Sequence, residues 1–163
     1  FIFANLTACS SATVFKSMSK ISSDKQRVYD IAYLRMAREW AKLSYCQRKQ
    51  VGALIVKDKM IISDGYNGTP TGFENICEDD EGYTKWYVLH AEANAILKVA
   101  ASTQSCVGAT LYITLSPCTE CSKLIHQAGI KRVVFNKAYK DPSGIDFLRR
   151  AGVSVDCIET IDE

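Results

Sequence analysis

A chain of 163 residues holds one ordinary domain; a second of normal size does not fit. Its 47% hydrophobic and 23% charged residues exclude a disordered or fibrous chain and supply material for a real core. No apolar run approaches the ~18 residues of a membrane span. The net charge is only +2, which argues against a general polyanion-binding surface, so neither membrane nor nucleic acid is an expected partner.

Residues 1–23 carry no acidic group and are rich in Ser, Ala and Thr. They read as a flexible leader, processed or expression-derived, with residues 24–163 as the working domain; a targeting remnant is the alternative, though Arg is lacking. Over 27–45, Tyr29, Tyr33, Met36, Trp40 and Leu43 recur at steps of four and three, one buried stripe of a helix. Segments 51–57 and 60–66 read as strands around a short turn at Asp58-Lys59, and 67–82 as loop. A helix is expected over 90–101 and a strand over 110–115. Ser116 then caps a helix that has Pro117 as its first residue and stops at Gly129. A strand over 132–136, a short helix over 145–151 and a last strand over 153–158 complete the chain. Two adjacent strands followed by strands separated by helices imply an α/β fold, a mixed five-stranded sheet covered on both faces.

Seven cysteines in a chain too large to need staples, two of them in a Cys-x-x-Cys pair, favour metal binding over a disulfide framework. One of the chain's two histidines, His90, stands two residues before Glu92 at a helix start. Cys118 and Cys121 share one helical turn, so both sulfurs can reach a single ion. A helix N-terminus lowers thiol pKa and favours the thiolates that zinc requires. One imidazole and two thiolates leave a fourth position for water, the open pattern of a catalytic zinc. The ion brings the pKa of that water to about 7, and Glu92 beside it can carry protons to a ring nitrogen and to a leaving amine. His-x-Glu followed by Pro-Cys-x-x-Cys is the signature of zinc nucleobase deaminases. Separately, either half is ordinary: a helix start with a surface carboxylate, or a redox or structural thiol pair.

The stretches His90-Ala91-Glu92-Ala93-Asn94-Ala95-Ile96 and 111–135 resemble the cytidine and deoxycytidylate deaminase superfamily. Gln50-Val51-Gly52-Ala53 with Gly65-Tyr66-Asn67-Gly68-Thr69-Pro70 makes the deoxycytidylate (dCMP) deaminases, bacteriophage forms included, the nearest branch. The resemblance spans about 27–158. It implies a three-layer α-β-α cytidine-deaminase-like fold and the reaction of dCMP with water to give dUMP and ammonia, which feeds thymidylate synthesis. It also implies one catalytic zinc, a homohexamer, activation by dCTP and inhibition by dTTP (with Mg²⁺ accompanying either), and a cytoplasmic location.

Residues 65–72 contain three glycines whose N–H groups could approach an anion, although a plain turn reads equally well. Thr69 adds a hydroxyl, and Asn67 could bond a sugar hydroxyl or base edge. In similar enzymes this loop, here Asn67, Gly68 and Thr69, helps hold the nucleotide, and Tyr139 stands where the family has a tyrosine bordering the substrate. Lys140 and Arg48 are candidate phosphate partners. Some phage relatives carry a second, structural zinc near the positions of Cys46 and Cys77. The ligand-bearing insertion is missing here between Glu78 and Leu89, so no second zinc is expected and these two cysteines read as buried thiols. Two other classes stay open: a deaminase of another substrate (cytidine, deoxycytidine, guanine or tRNA), and a non-catalytic zinc module whose metal is closed by a fourth protein ligand.

Overall fold

The computed structural model describes the backbone of residues 11–161 and the side chains from residue 23 onward. In chain order the elements are α1 (Ser11–Ala41), β1 (Gly52–Lys57), β2 (Met60–Tyr66), α2 (Ala91–Ala100), β3 (Thr110–Leu115), α3 (Thr119–Gln127), β4 (Arg132–Lys137), α4 (Ser143–Arg150) and β5 (Ser154–Cys157). The strands form one sheet in the order β2-β1-β3-β4-β5. β1 runs antiparallel to β2 and β3, while β3, β4 and β5 are mutually parallel. The expected mixed five-stranded α/β sheet is therefore present. The β1–β2 hairpin turns through Asp58 and Lys59 at φ 50° and 62°, the left-handed pair that a two-residue hairpin of right twist demands.

Alternation along the strands sends side chains to two separate cores. Ala53, Ile55, Leu111, Ile113, Val133 and Phe135 pack against α2, α3 and α4. Leu54, Val56, Tyr112 and Val134 face α1 through Tyr33, Leu34 and Ala37. One helix thus covers one face and three cover the other.

Helix α1 departs from the sequence reading in two respects. It begins at Ser11 and ends at Ala41, so the expected leader falls partly within its backbone; residues 1–10 lie outside the described residues. Its buried face is Asp30, Tyr33, Leu34, Ala37 and Ala41; of the expected stripe Tyr33 is buried and Tyr29 and Trp40 half-buried, whereas Met36 and Leu43 are exposed. Alanines join Tyr33 and Leu34 on this face because the helix lies close against β1, where a Cβ at Gly52 would strike the Ala37 carbonyl. At the buried edge, Asp30 accepts two hydrogen bonds of 2.8 Å from Arg132 and one of 2.7 Å from the Tyr112 hydroxyl. Burial alone raises the Asp30 carboxyl, but the bonds from Arg132, Gln26 and Tyr112 outweigh it and hold it below the usual carboxylate range.

Candidate active site

The carboxyl end of β3 and the first turns of α2 and α3 converge on one point. His90 is the N-cap of α2 and Cys118 the N-cap of α3, neither with a side-chain capping bond. Ser116 is not the cap expected from sequence: the chain needs Ser116 and Pro117 to turn out of β3, and the helix starts at Thr119. The Ser116 hydroxyl instead accepts the backbone N–H of Tyr139 at 2.7 Å.

His90 Nδ1 lies 3.5 Å from both Cys118 Sγ and Cys121 Sγ. The three atoms are all within 4.8 Å of one another. With Zn–S of about 2.3 Å and Zn–N of about 2.0–2.1 Å, the N···S edge of a zinc tetrahedron is about 3.5 Å, so this donor set fits that ion. Electrostatics agree. A hydrogen bond from Cys121, then one from His90, pulls the Cys118 thiol down to about 3. Cys121 is pushed up, first by its bond to Cys118 and then by burial. The His90 imidazole is raised by its bond to Cys118. The shared proton couples the two thiols, and a cation that displaces thiol protons would complete the donor set.

Glu92, in the first turn of α2, is only 4% exposed, and burial pushes its carboxyl up to about 7. A carboxyl balanced between its two forms at neutral pH suits a group that must both take and give protons.

Two glycines allow this convergence. A Cβ at Gly65 would strike the Ala91 carbonyl and lie 2.7 Å from the Ala95 nitrogen; one at Gly144 would strike the Pro117 carbonyl and lie 2.9 Å from the Cys118 carbonyl carbon. Gly65 therefore serves the seating of α2 on β2, not the approach of an anion.

A cavity of about 480 Å³ opens above the three ligands, within the ~300–1,000 Å³ range of small-molecule sites. Buried Glu92 lines it, and so do the exposed cations Arg48, Lys49 and Lys140. Tyr139 lines the wall with the Lys49 ammonium 4.6 Å from its ring centroid. Asn67 lines it too, while its side chain accepts the Val51 N–H and donates to the Lys49 carbonyl, both at 2.8 Å. One N–H and one lone pair of that amide stay available to a ligand.

The anion cradle read into residues 65–72 does not form at Asn67 and Gly68. The Asn67 N–H is spent on Val51 and the Gly68 N–H on Leu89, because the segment continues as a short ladder beyond β2. Gly68 and Thr69 are absent from the cavity lining, and the Thr69 hydroxyl is buried without a partner. Cys46 and Cys77 are not separate thiols but a disulfide, with Cα atoms 5.1 Å apart, on the cavity wall. Sequence reasoning also passed over Lys49, whose adjacency to Arg48 was a signal, and Glu78, which carried none.

A sequence profile of the cytidine and deoxycytidylate deaminase zinc-binding region matches residues 27–137. The chain is 37% identical over 123 residues to the deoxycytidylate deaminase of Mycobacterium phage D29, covering 67% of this chain and 94% of that protein. It is 35% identical over 171 residues to the deoxycytidylate deaminase of Enterobacteria phage T4, covering 78% and 86%. A crystal structure of the dCMP deaminase from cyanophage S-TIM5, in complex with dCMP and dUMP, superposes with a TM-score of 0.77 at 45% identity, covering 78% of this chain and 94% of that one. With its His90, Cys118 and Cys121 set as a zinc site requires and Glu92 buried beside them, the chain belongs to the cytidine and deoxycytidylate deaminase family.

Proposed function

We propose that this protein hydrolyses dCMP to dUMP and ammonia. The observation that carries the substrate is the trio of cations, Arg48, Lys49 and Lys140, lining the same cavity as Glu92 and the metal ligands His90 and Cys118. A free nucleoside gives such cations nothing to bind; a 5′-phosphate does. The relatives named above, dCMP deaminases, support the same substrate.

His90, Cys118 and Cys121 hold the zinc, which when bound makes a water acidic enough to serve as nucleophile near neutral pH. Glu92 accepts the proton that the water gives up and delivers it to the ring nitrogen beside the amine-bearing carbon. The water oxygen bonds to that carbon; as it becomes a carbonyl its remaining proton passes through Glu92 to the amine nitrogen, the C–N bond breaks, and ammonia leaves. The Tyr139 ring, its backbone N–H bonded to Ser116 and the Lys49 ammonium over its face, borders the sugar or base, and the spare Asn67 amide groups take a hydroxyl. Gly68 and Thr69 act behind that wall, by shaping the Asn67 turn.

By the same reading dCTP activates, dTTP inhibits, Mg²⁺ accompanies either triphosphate, and the working form is a homohexamer in the cytoplasm. The Cys46–Cys77 disulfide runs against a reducing compartment, so thiol alkylation in freshly lysed cells tests the location. The deciding experiment measures ammonia release from dCMP, cytidine, deoxycytidine and dCTP, with and without dCTP and dTTP as effectors. Preference for dCMP supports the proposal. Equal or better turnover of an unphosphorylated nucleoside overturns it, and silence on every cytosine substrate leaves the zinc-module reading.

A further inference from the structure

Glu78 lies on the cavity wall, yet nothing in the deamination chemistry uses it. Its Oε1 accepts two consecutive backbone N–H groups, from Gln47 at 3.1 Å and from Arg48 at 3.2 Å. Successive N–H groups converging on one oxygen form a small anion-binding concavity, here filled by the protein's own carboxylate. Both sides of this contact are tethered. The preceding residue, Cys77, is bonded to Cys46, and Glu78 itself pairs with Thr84 in an isolated antiparallel bridge. Arg48 in turn reaches the Thr84 hydroxyl at 3.5 Å.

The segment so gripped, 46–50, has no regular structure, and Arg48 and Lys49 are exposed. Long cationic side chains on such a segment lose entropy when they must stop at one place. Fixing their backbone lowers that cost. We propose that Glu78 is a positioning residue for the substrate's 5′-phosphate: its carboxylate sets the backbone of residues 47–48 so that Arg48 and Lys49 face the phosphate. The proposal rests on the nucleotide reading above and adds to it the residue that organises the cationic rim.

A rival physical effect has the opposite sign. A carboxylate near an incoming phosphate repels it, and if that dominated, removing Glu78 would tighten binding. At a partly exposed site that repulsion is screened, whereas charge-assisted bonds to two backbone N–H groups are strong, so the positioning effect should win.

Steady-state kinetics on the zinc-loaded enzyme separate the cases, with dCMP and deoxycytidine as substrates for wild type, Glu78→Ala and Glu78→Gln. We expect Glu78→Ala to raise KM for dCMP roughly tenfold, with kcat within about twofold, and to erode the preference for dCMP over deoxycytidine by a similar factor. Glu78→Gln should recover most of the loss, because an amide oxygen also accepts two N–H groups. In an Arg48→Ala, Lys49→Ala background the Glu78→Ala change should add less than about twofold, since it acts through those cations. Should Glu78→Ala lose zinc or fold poorly, Glu78→Asp, one methylene short of both N–H groups, should show the same selective rise in KM. A lower or unchanged KM for dCMP, an equal loss on both substrates, or a full effect without the cations overturns the proposal. A wild type that shows no preference for dCMP overturns the nucleotide reading and this inference together. Preference in the wild type with an inert Glu78 overturns this one alone.

Discussion

The metal corner and the cationic rim share one cavity but are built on different principles. In the corner, His90, Cys118, Cys121 and Glu92 sit at or within the first turns of two helices, each pressed against a neighbouring element through a glycine. The rim is assembled from loops: 46–50, the stretch around Glu78 and Thr84, and 138–140. It is held by the Cys46–Cys77 disulfide and by side-chain bonds from Glu78, Asn67, Gln50 and Ser116. Chemistry that tolerates little misplacement is tied to the core, and recognition that tolerates more is tied to sparse local bonds. Damage to the corner should therefore cost orders of magnitude, and damage to the rim single factors.

The largest effect tests the corner's chemistry. Glu92→Gln should keep the bound zinc and the fold while lowering kcat by about 10²–10⁴-fold, the usual worth of a general acid–base group. Zinc content by elemental analysis, with ammonia release on the same preparation, checks both halves. Normal turnover would remove Glu92 from the role assigned to it.

Next comes the corner's geometry. Gly144→Ala places a methyl against the Pro117 carbonyl and 2.9 Å from the Cys118 carbonyl carbon, and overpacking of this kind costs about 1–3 kcal/mol. The backbone that must yield carries a metal ligand, so weaker zinc retention under chelator is expected together with a lower melting temperature. Loss of stability with unaltered zinc affinity would show that α3 absorbs the strain away from Cys118.

A contrast within the core sharpens this. Asp30→Asn removes the buried anion of Arg132, which keeps Asp156 at 2.8 Å, and should cost about 1–3 kcal/mol, with zinc affinity and turnover of the folded fraction preserved. Because the folded Asp30 pKa is depressed, its contribution is fully present above the unfolded value near ~3.9 and is lost as pH falls through the lower folded value. Wild type should thus show an acid-unfolding limb that Asp30→Asn lacks, readable by circular dichroism along a pH series.

How much of this was legible in the sequence follows the same division. The corner's motif is written in short spacings, two residues from His90 to Glu92 and three from Cys118 to Cys121, which a helix turn converts directly into proximity. The strands were legible as short apolar runs flanking turn residues, and the period of two then sends Leu54 and Val56 to one core and Ala53 and Ile55 to the other. The face of α1 was legible in part: Tyr33 is buried as its spacing suggested, but bulk also suggested Met36 and Leu43, where close packing selected Ala37 and Ala41. Gly65 read as an anion-binding glycine when its neighbour is the Ala91 carbonyl. The Cys46–Cys77 bond and the grip of Glu78 on residues 47 and 48 join segments about thirty residues apart. No local pattern encodes such a contact.

The smallest effect belongs to the rim, at Lys49. Its ammonium sits 4.6 Å from the Tyr139 ring centroid, a contact worth about 0.5–1 kcal/mol at exposed sites. Removing it also removes one phosphate partner, so Lys49→Ala should raise KM for dCMP by about two- to fivefold and barely move kcat. Tyr139→Phe, which keeps the ring face, should change KM less than Lys49→Ala does. Salt separates packing from charge. Attraction between exposed ions weakens as the screening length falls from about 10 Å at 0.1 M to about 3 Å at 1 M, so KM for dCMP should climb with ionic strength in wild type and less steeply in Lys49→Ala. If the two slopes coincide, Lys49 supports the Tyr139 wall without meeting the phosphate, and the rim's charge must be assigned to Arg48 and Lys140.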